Sequence, residues 1–330
     1  MSAPLRVALL GPGCTAFADG LAPLLETKWT LDRIEASTGA ADAASMLAGA
    51  NAVIAIQLDR SAPDMPHLKM VQVPGAGTDG IDLAAIPRGV PMCNVFEHEP
   101  GCSEYALLAM LEWCIRLAAA DRAIRGGDWS RSARYGGAPQ GEIAHKTVAV
   151  VGVGRIGRAV ARRAKAFEMR VIGVNRTVRP DEHDFDAMYG LDRLHEAMGQ
   201  ADYVVLACAL TPETRGLIDA AALAAMKKST FLVNVARGPV IDEAALWEAL
   251  SNRRIGGAAI DVWWRYPAGG RGDPAMAPYR FDALDNVILS PHIGGWTTGT
   301  VERRTRFMAR NLDRLARGEK PENQVAVGTR

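Results

Sequence analysis

The hydrophobic positions of this chain gather in short runs, with polar or glycine-rich stretches between them. Arg6 to Leu10 reads as a strand that stops at Gly11-Pro12-Gly13. Ala41 to Ala48 has helical spacing, and Ala52 to Ile56, Met70 to Val73 and Pro91 to Val95 read as further strands. Ser103 to about Leu117 is apolar nearly all round, which predicts a buried helix, with a subunit interface as one place to bury it. Ser103 is its expected N-cap, and Glu104 suits the first turn. Arg125 to Gly141 is rich in Gly, Ser and Arg and reads as a loop or arm. Strands are then expected at Thr147–Val151, Met169–Val174, Ala201–Cys208, Thr230–Val235, Ile255–Val262 and Val287–Ser290, with a last helix from Thr298 to Leu315. Strands alternating with helices predict an α/β protein built on parallel sheets.

Chemistry enters at the first of the later strands. Thr147–Val151 runs into Gly152-Val153-Gly154-Arg155-Ile156-Gly157, and Arg158 to Phe167 has helical spacing. Strand, glycine turn and helix in that order are the setting of a dinucleotide fingerprint. The first glycine permits the tight turn, the second lets the backbone approach a pyrophosphate, and the third lets helix and strand pack closely. The helix N-terminus then offers unpaired N–H groups to the phosphates. Gly11-Pro12-Gly13 lacks the third glycine at the right spacing and is not read as a second such loop. The strand after the fingerprint ends in Asn175-Arg176-Thr177-Val178-Arg179, with Asn175 where an acid would hold the ribose of NAD. Arg176 and Arg179 suit a 2′-phosphate instead, so NADP(H) is favoured and NAD(H) remains possible; the alternative is two solvated arginines. Arg237, Asp261 and His292 stand at the ends of later strands, where an open parallel sheet forms its ligand crevice, and are expected to converge on the nicotinamide. Val73 to Asp82, VPGAGTDGID, is either an anion-binding turn or a plain loop.

Composition narrows the class without changing it. The chain has 330 residues, 48% hydrophobic and 23% charged, with net charge +1. That balance gives no reason to expect nucleic acid as a partner. No apolar run approaches the roughly 18 residues of a membrane span, and MSAPLRVALLG has too short an apolar run for a signal peptide. Cys14, Cys93, Cys102, Cys114 and Cys208 are scattered with no CxxC pair, so reduced thiols in a cytoplasmic protein are expected. No metal site is expected, and His67, His145, His183 and His195 fall in no motif.

The ordered set GAGTDGID, CSEYALLAML, VVGVGRIGR, LTPETRGLI, VNVARGPVIDE, AAIDVW and SPHIGGW, from Val73 to Trp296, resembles the D-isomer-specific 2-hydroxyacid dehydrogenase family. That family includes glyoxylate/hydroxypyruvate reductases, phosphoglycerate dehydrogenases and formate dehydrogenases. The resemblance implies two Rossmann-like, doubly wound parallel-sheet domains with the active site in the cleft between them. Residues 1–98 with 297–330 would form a flavodoxin-like substrate domain, and 99–296 the dinucleotide-binding domain. It implies hydride transfer between NADP(H) or NAD(H) and a small 2-oxoacid or D-2-hydroxyacid, and the apolar helix after Ser103 suggests a homodimer. Arg237 would bind the substrate carboxylate and polarise the carbonyl, and His292 would be the acid/base. Ala76 and Gly77 would hold the carboxylate through backbone N–H, with His98 a further substrate contact. Gly152, Gly154, Arg155, Ile156, Gly157, Asn175, Arg176, Thr177, Arg179, Cys208, Ala209, Thr214, Val235, Ala236, Asp261, His292, Gly294 and Gly295 would line the cofactor, Asp261 on the carboxamide side of the nicotinamide.

One position departs from the family pattern. In Asp261-Val262-Trp263-Trp264-Arg265-Tyr266-Pro267, Tyr266 stands where the family usually has the Glu that pairs with the histidine. A phenol orients an imidazole but brings no charge at neutral pH. Glu97 and Glu99 are candidate substitutes for the missing carboxylate, and Tyr266 itself is a candidate proton donor. The loss keeps two other readings open: a formate-type dehydrogenase, whose reaction needs no base, and a corepressor-like binding protein that senses NAD(P).

Overall fold

The computed structural model describes residues 4–178, 182–267, 270–272 and 278–330. The chain forms two compact units, one of residues 1–97 with 297–330 and one of residues 98–296. In chain order the first unit opens with β1 (Leu5–Leu10), short helices α1 (Pro12–Thr15) and α2 (Ala18–Leu21), β2 (Trp29–Ile34), α3 (Ala40–Ala48), β3 (Ala52–Ala55), β4 (Met70–Gln72) and β5 (Pro91–Cys93). The second unit carries α4 (Glu99–Ile115), α5 (Leu117–Arg125), β6 (Thr147–Val151), α6 (Arg155–Ala166), β7 (Arg170–Val174) and β8 (Ala187–Tyr189). It continues with α7 (Leu194–Gln200), β9 (Tyr203–Leu206), α8 (Ala220–Ala225), β10 (Phe231–Asn234), α9 (Glu243–Ser251), β11 (Gly257–Ile260) and β12 (Val287–Leu289). The chain then returns to the first unit with α10 (Thr298–Ala316) and β13 (Gln324–Val327).

In the first unit the sheet order is β13-β5-β4-β3-β1-β2, parallel except for β13, which runs antiparallel to β5. Every residue of β3 and β4 is buried, as expected for strands covered on both faces. Alternate residues serve opposite faces. Leu9, Ile54 and Met70 pack against Phe17, Leu21 and the α10 residues Met308 and Leu312, while Ala8, Val53 and Val71 face Leu47 and Ile86.

In the second unit the order is β12-β11-β10-β9-β6-β7-β8, parallel throughout. The winding reverses between β6 and β9, so the carboxyl ends of these strands flank a switch point, where such sheets bind ligands. β6, β9, β10 and β11 are buried along almost their whole length.

The structure corrects the sequence reading in several elements. The long helix α4 starts at Glu99 with His98 at the cap, and Ser103 is buried inside it. The Ser103 hydroxyl donates back to the carbonyls of Glu99 (2.7 Å) and Pro100 (2.9 Å), so it is not an N-cap. Pro100 lies in the first turn, where its missing N–H costs nothing. The same helix is not buried all round, since Leu108 is 63% exposed. It stops at Ile115 because Arg116 turns left-handed at φ 55, and α5 then takes up a segment to which the sequence reading assigned no element. The fingerprint helix begins at Arg155, directly after Gly154.

Candidate cofactor site and acid–base pair

The glycine loop between β6 and α6 has the close approaches its spacing predicts. Gly152 sits at φ +99, and a Cβ there would lie 2.5 Å from Cys208 Cα. A Cβ on Gly157 would overlap the Gly152 carbonyl oxygen. Gly154 caps α6 and faces open space. The helix has no side-chain cap, so its first-turn N–H groups are available to an anion. Beyond the loop lies a pocket of about 230 Å³ that brings together Gly152, Gly154, Asn175, Arg176, Cys208, Ala209 and Thr214. Val151, Val174, Ala207 and Leu217 supply apolar walls. Burial pushes the Cys208 thiol up to about 11, so it lines the pocket as a neutral group. Tight glycine turn, uncapped helix and half-apolar pocket fit a dinucleotide.

Not every residue expected at the cofactor lies in this pocket. Ile156 packs into the core between α4, α6 and the sheet, and Gly157 acts through the loop's close packing. Arg155 lies 3.9 Å from Glu99 at the start of α4. Thr177 is exposed, and its carbonyl accepts the Asn175 side-chain amide at 3.0 Å. Arg179 lies outside the described residues. Val235 and Ala236 are buried at the end of β10. Glu213, inside the LTPETRGLI landmark but not among the residues expected at the cofactor, also lines the pocket.

The end of β10 is fixed by buried Asn234. Its Oδ1 accepts the Ala236 N–H (3.0 Å) and its Nδ2 donates to the Arg237 carbonyl (3.1 Å). Arg237 follows, half-buried, with Nη1 donating to the Ala236 carbonyl at 2.8 Å. A Cβ on Gly238 would overlap the Trp263 carbonyl, so the turns after β10 and β11 are pressed together.

Asp261 is only 2% exposed, and its carboxylate is engaged with the turn that carries His292. Oδ1 accepts from the Ser290 hydroxyl (2.6 Å) and the Ile293 N–H (2.8 Å), and Oδ2 from the Gly294 N–H (2.9 Å). Tyr105 on α4 extends the chain at 2.6 Å from Ser290 Oγ. Burial and the nearby Asp261 raise the Tyr105 phenol, which therefore remains a donor. Hydrogen bonding on both sides of residue 292 supports its left-handed backbone, φ +60, a conformation uncommon outside glycine. Gly294 packs on Tyr105, and a Cβ on Gly295 would lie 3.1 Å from Cys102 Sγ and 3.3 Å from His98 Cδ2. His98 is thus seated beside the end of the His292 turn.

Tyr266 meets His292. Its hydroxyl lies 2.9 Å from His292 Nδ1 and accepts the Trp263 N–H at 3.3 Å. When the phenol donates to Nδ1, the neutral imidazole carries its own proton on Nε2. The two candidate carboxylates are engaged elsewhere. Glu97 lies 3.7 Å from Arg303 and Glu99 pairs with Arg155.

In the first unit, the loop after β4 holds Ala76 and Gly77. Among the described residues their N–H groups donate to no backbone or side-chain acceptor. Asn94, 4% exposed, fixes the loop by donating Nδ2 to the Ala76 carbonyl at 2.9 Å, and the Val95 N–H donates to Gly75 at 3.1 Å. Arg304, 9% exposed on α10, donates Nε to the Phe96 carbonyl at 2.9 Å and brings Nη1 beside Gly75. Sequence reading missed both residues. Asn94 stood at a strand end, where it was visible in principle, whereas Arg304 sits in an amphipathic helix with nothing to mark it.

A seven-stranded doubly wound sheet with a glycine cradle at its switch point defines a dinucleotide-dependent enzyme of the Rossmann class. Residues 107–294 match the family model described as D-isomer specific 2-hydroxyacid dehydrogenase, NAD binding domain. The glyoxylate reductase of Thermococcus kodakarensis is 36% identical over 267 residues, 79% of this chain and 77% of that one. The D-3-phosphoglycerate dehydrogenase of Methanocaldococcus jannaschii is 34% identical over 260 residues, 78% of this chain but 47% of that longer protein. The solved 2-hydroxyacid dehydrogenase of Ketogulonicigenium vulgare superposes with a TM-score of 0.82 at 26% identity, covering 100% of both chains. The chain belongs to the D-isomer specific 2-hydroxyacid dehydrogenase family. It is an NAD(P)-dependent oxidoreductase that interconverts a 2-hydroxyacid and its 2-oxoacid. Among the described residues, no helix is long and apolar enough to cross a membrane, and no cluster of three metal-ligating side chains occurs.

Proposed function

We propose that this enzyme reduces a small 2-oxoacid, of the glyoxylate or hydroxypyruvate kind, to its D-2-hydroxyacid with NADPH. The observation that carries this reading is the pair of strand ends, Arg237 after β10 and His292 after β12, in the unit that holds the glycine cradle. The bound nicotinamide supplies the hydride. Arg237, always charged and able to bond two oxygens, holds the substrate carboxylate and polarises the carbonyl. The backbone N–H groups of Ala76 and Gly77 assist in the unit proposed as the substrate domain, and His98 contacts the substrate. Protonated His292 gives its Nε2 proton to the developing alkoxide, its Nδ1–H donating to the Tyr266 oxygen. Tyr266 orients the ring without adding charge, and Asp261 holds the turn beneath it. Most of the catalytic effect is thus orientation and charge placement.

NADP(H) is favoured over NAD(H) because β7 ends in neutral Asn175 followed by Arg176, with no acid to receive the ribose. A homodimer is proposed through the second unit, where Leu108, Leu117 and Trp129 are 63%, 65% and 59% exposed. A cytoplasmic location goes with the five free cysteines. The formate-type and redox-sensing readings draw no support from the relatives. The test is a panel of 2-oxoacids assayed in parallel with NADH and NADPH. Absence of nicotinamide oxidation with every acid refutes the proposal, and so does full turnover in His292→Ala or Arg237→Ala.

A further inference from the structure

One charged group of the cofactor pocket has no part in the scheme above. Glu213 lines the same pocket as Asn175 and Arg176. The two charges reach it from different strands: Arg176 follows β7 and Glu213 follows β9, the two neighbours of β6 in the sheet. The loop bearing Glu213 is braced. Thr214 Oγ1 donates to the Ala209 carbonyl at 2.7 Å and accepts the Thr211 N–H at 2.8 Å, and the Arg215 N–H closes onto the Thr211 carbonyl at 3.0 Å. The neighbouring Thr211 hydroxyl and the charge of Arg176 hold the Glu213 carboxylate below the usual carboxylate range. The carboxylate is therefore ionised before any ligand arrives. Asn175, in the same lining, is neutral, and its amide is tied to Thr177. Among the described residues, the lining thus offers one cation and one anion to the adenosine end of a dinucleotide, and the anion is not at the position where the fingerprint normally supplies it.

We propose that Glu213 is the second half of the cofactor selector. Its carboxylate accepts the ribose hydroxyl of NAD(H) and competes with the 2′-phosphate of NADP(H) for Arg176. Its charge therefore limits how strongly the pocket prefers the phosphorylated cofactor. The inference rests on the dinucleotide reading of the pocket but not on which cofactor the wild type prefers. A 2′-phosphate carries about 1.5 to 2 negative charges, and a solvent-screened carboxylate lining the same pocket lowers its affinity about three- to tenfold. The effect weakens as salt rises.

The test is calorimetric titration of the cofactor-free protein with 2′,5′-ADP and with 5′-AMP, for wild type, Glu213→Gln, Glu213→Lys, Arg176→Gln and the Glu213→Gln/Arg176→Gln double variant. Glu213 is exposed on its loop, so the substitutions leave the core untouched. Glu213→Gln is expected to raise the affinity ratio of 2′,5′-ADP to 5′-AMP about three- to tenfold, and Glu213→Lys further. The gain is expected to shrink in the Arg176→Gln background, because the competition is for that guanidinium. A ratio unchanged or lowered in Glu213→Gln overturns the inference, and so does an equal gain with and without Arg176. A wild type that binds 5′-AMP more tightly than 2′,5′-ADP refutes the NADP(H) preference instead, and the change of ratio in Glu213→Gln still decides the role of Glu213.

Discussion

Tyr266→Glu restores a carboxylate beside an imidazole that now has a phenol. The wild-type contact is 2.9 Å from the hydroxyl to His292 Nδ1. A glutamate is shorter than a tyrosine, so its charge would sit about 4–5 Å from the ring. Tyr266 is 54% exposed, so an effective dielectric between about 40 and 80 is appropriate. Coulomb's law then gives about 1–2 kcal/mol of attraction for the imidazolium, or roughly one pH unit. The sign follows from the role. Reduction needs protonated His292, so activity is present below its pKa and lost as pH rises through it. A carboxylate raises that pKa and moves the alkaline limb of kcat/KM upward. The assay is the pH profile of 2-oxoacid reduction for wild type, Tyr266→Phe and Tyr266→Glu. A limb displaced about one unit to the alkaline side in Tyr266→Glu is expected. A limb that stays in place refutes either the Tyr266–His292 contact or the assignment of His292 as the acid.

Asp261→Asn puts an amide N–H₂ against backbone donors and loosens the His292 turn; kcat should fall about ten- to a hundredfold with the KM for cofactor little changed. A raised cofactor KM at unchanged kcat would instead favour a direct nicotinamide contact. Gly152→Ala forces a Cβ against Cys208 Cα at φ +99 and should cost about 3 kcal/mol or more, seen as a lowered Tm and lost dinucleotide binding. A variant that melts and binds like the wild type would show that the loop tolerates the approach. Asp202 is partly buried, which raises its pKa, but Lys227 (2.8 Å) and the Thr147 N–H (2.9 Å) lower it further, so the net shift is downward. Its stabilisation is therefore complete above about pH 4–5 and lost as pH falls through the folded value. Urea unfolding of Asp202→Asn against wild type should give a gap that closes towards pH 3, and a constant gap contradicts the linkage.

The dinucleotide loop was legible because its function is written in local backbone requirements: three glycines at fixed spacing between a strand and a helix. Arg237, Asp261 and His292 were legible as polar residues at strand ends. Tyr266 could be paired with His292 from the family pattern alone, and the contact is present. The use of Asp261 was not legible, since its partners at 290, 293 and 294 depend on how β11 and β12 lie side by side. The same holds for Asn94, whose work is done at Ala76, and for Arg304, which acts on Phe96 more than two hundred residues earlier in the chain. Ser103 misled because a hydroxyl that can cap a helix can also bond back to carbonyls inside one, as it does here. β2 escaped notice because it is an edge strand with a half-polar sequence, WTLDRI.

The first unit's sheet and its apolar face are completed by segments separated in the chain by the whole of the second unit. β5 gains its outer neighbour from β13, and the cluster of Phe17, Leu21, Leu9 and Met70 is completed by Met308 and Leu312 of α10. During synthesis the N-terminal segment therefore waits while residues 98–296 are made, about 10–40 s at ordinary elongation rates. Throughout that interval it carries an open strand edge and an uncovered apolar face, both of which favour association with other chains. The second unit is contiguous and can fold as it emerges. A nascent chain stalled before residue 298 is thus expected to hold a folded dinucleotide unit beside a chaperone-binding remnant, and release past β13 converts that remnant into a protected domain.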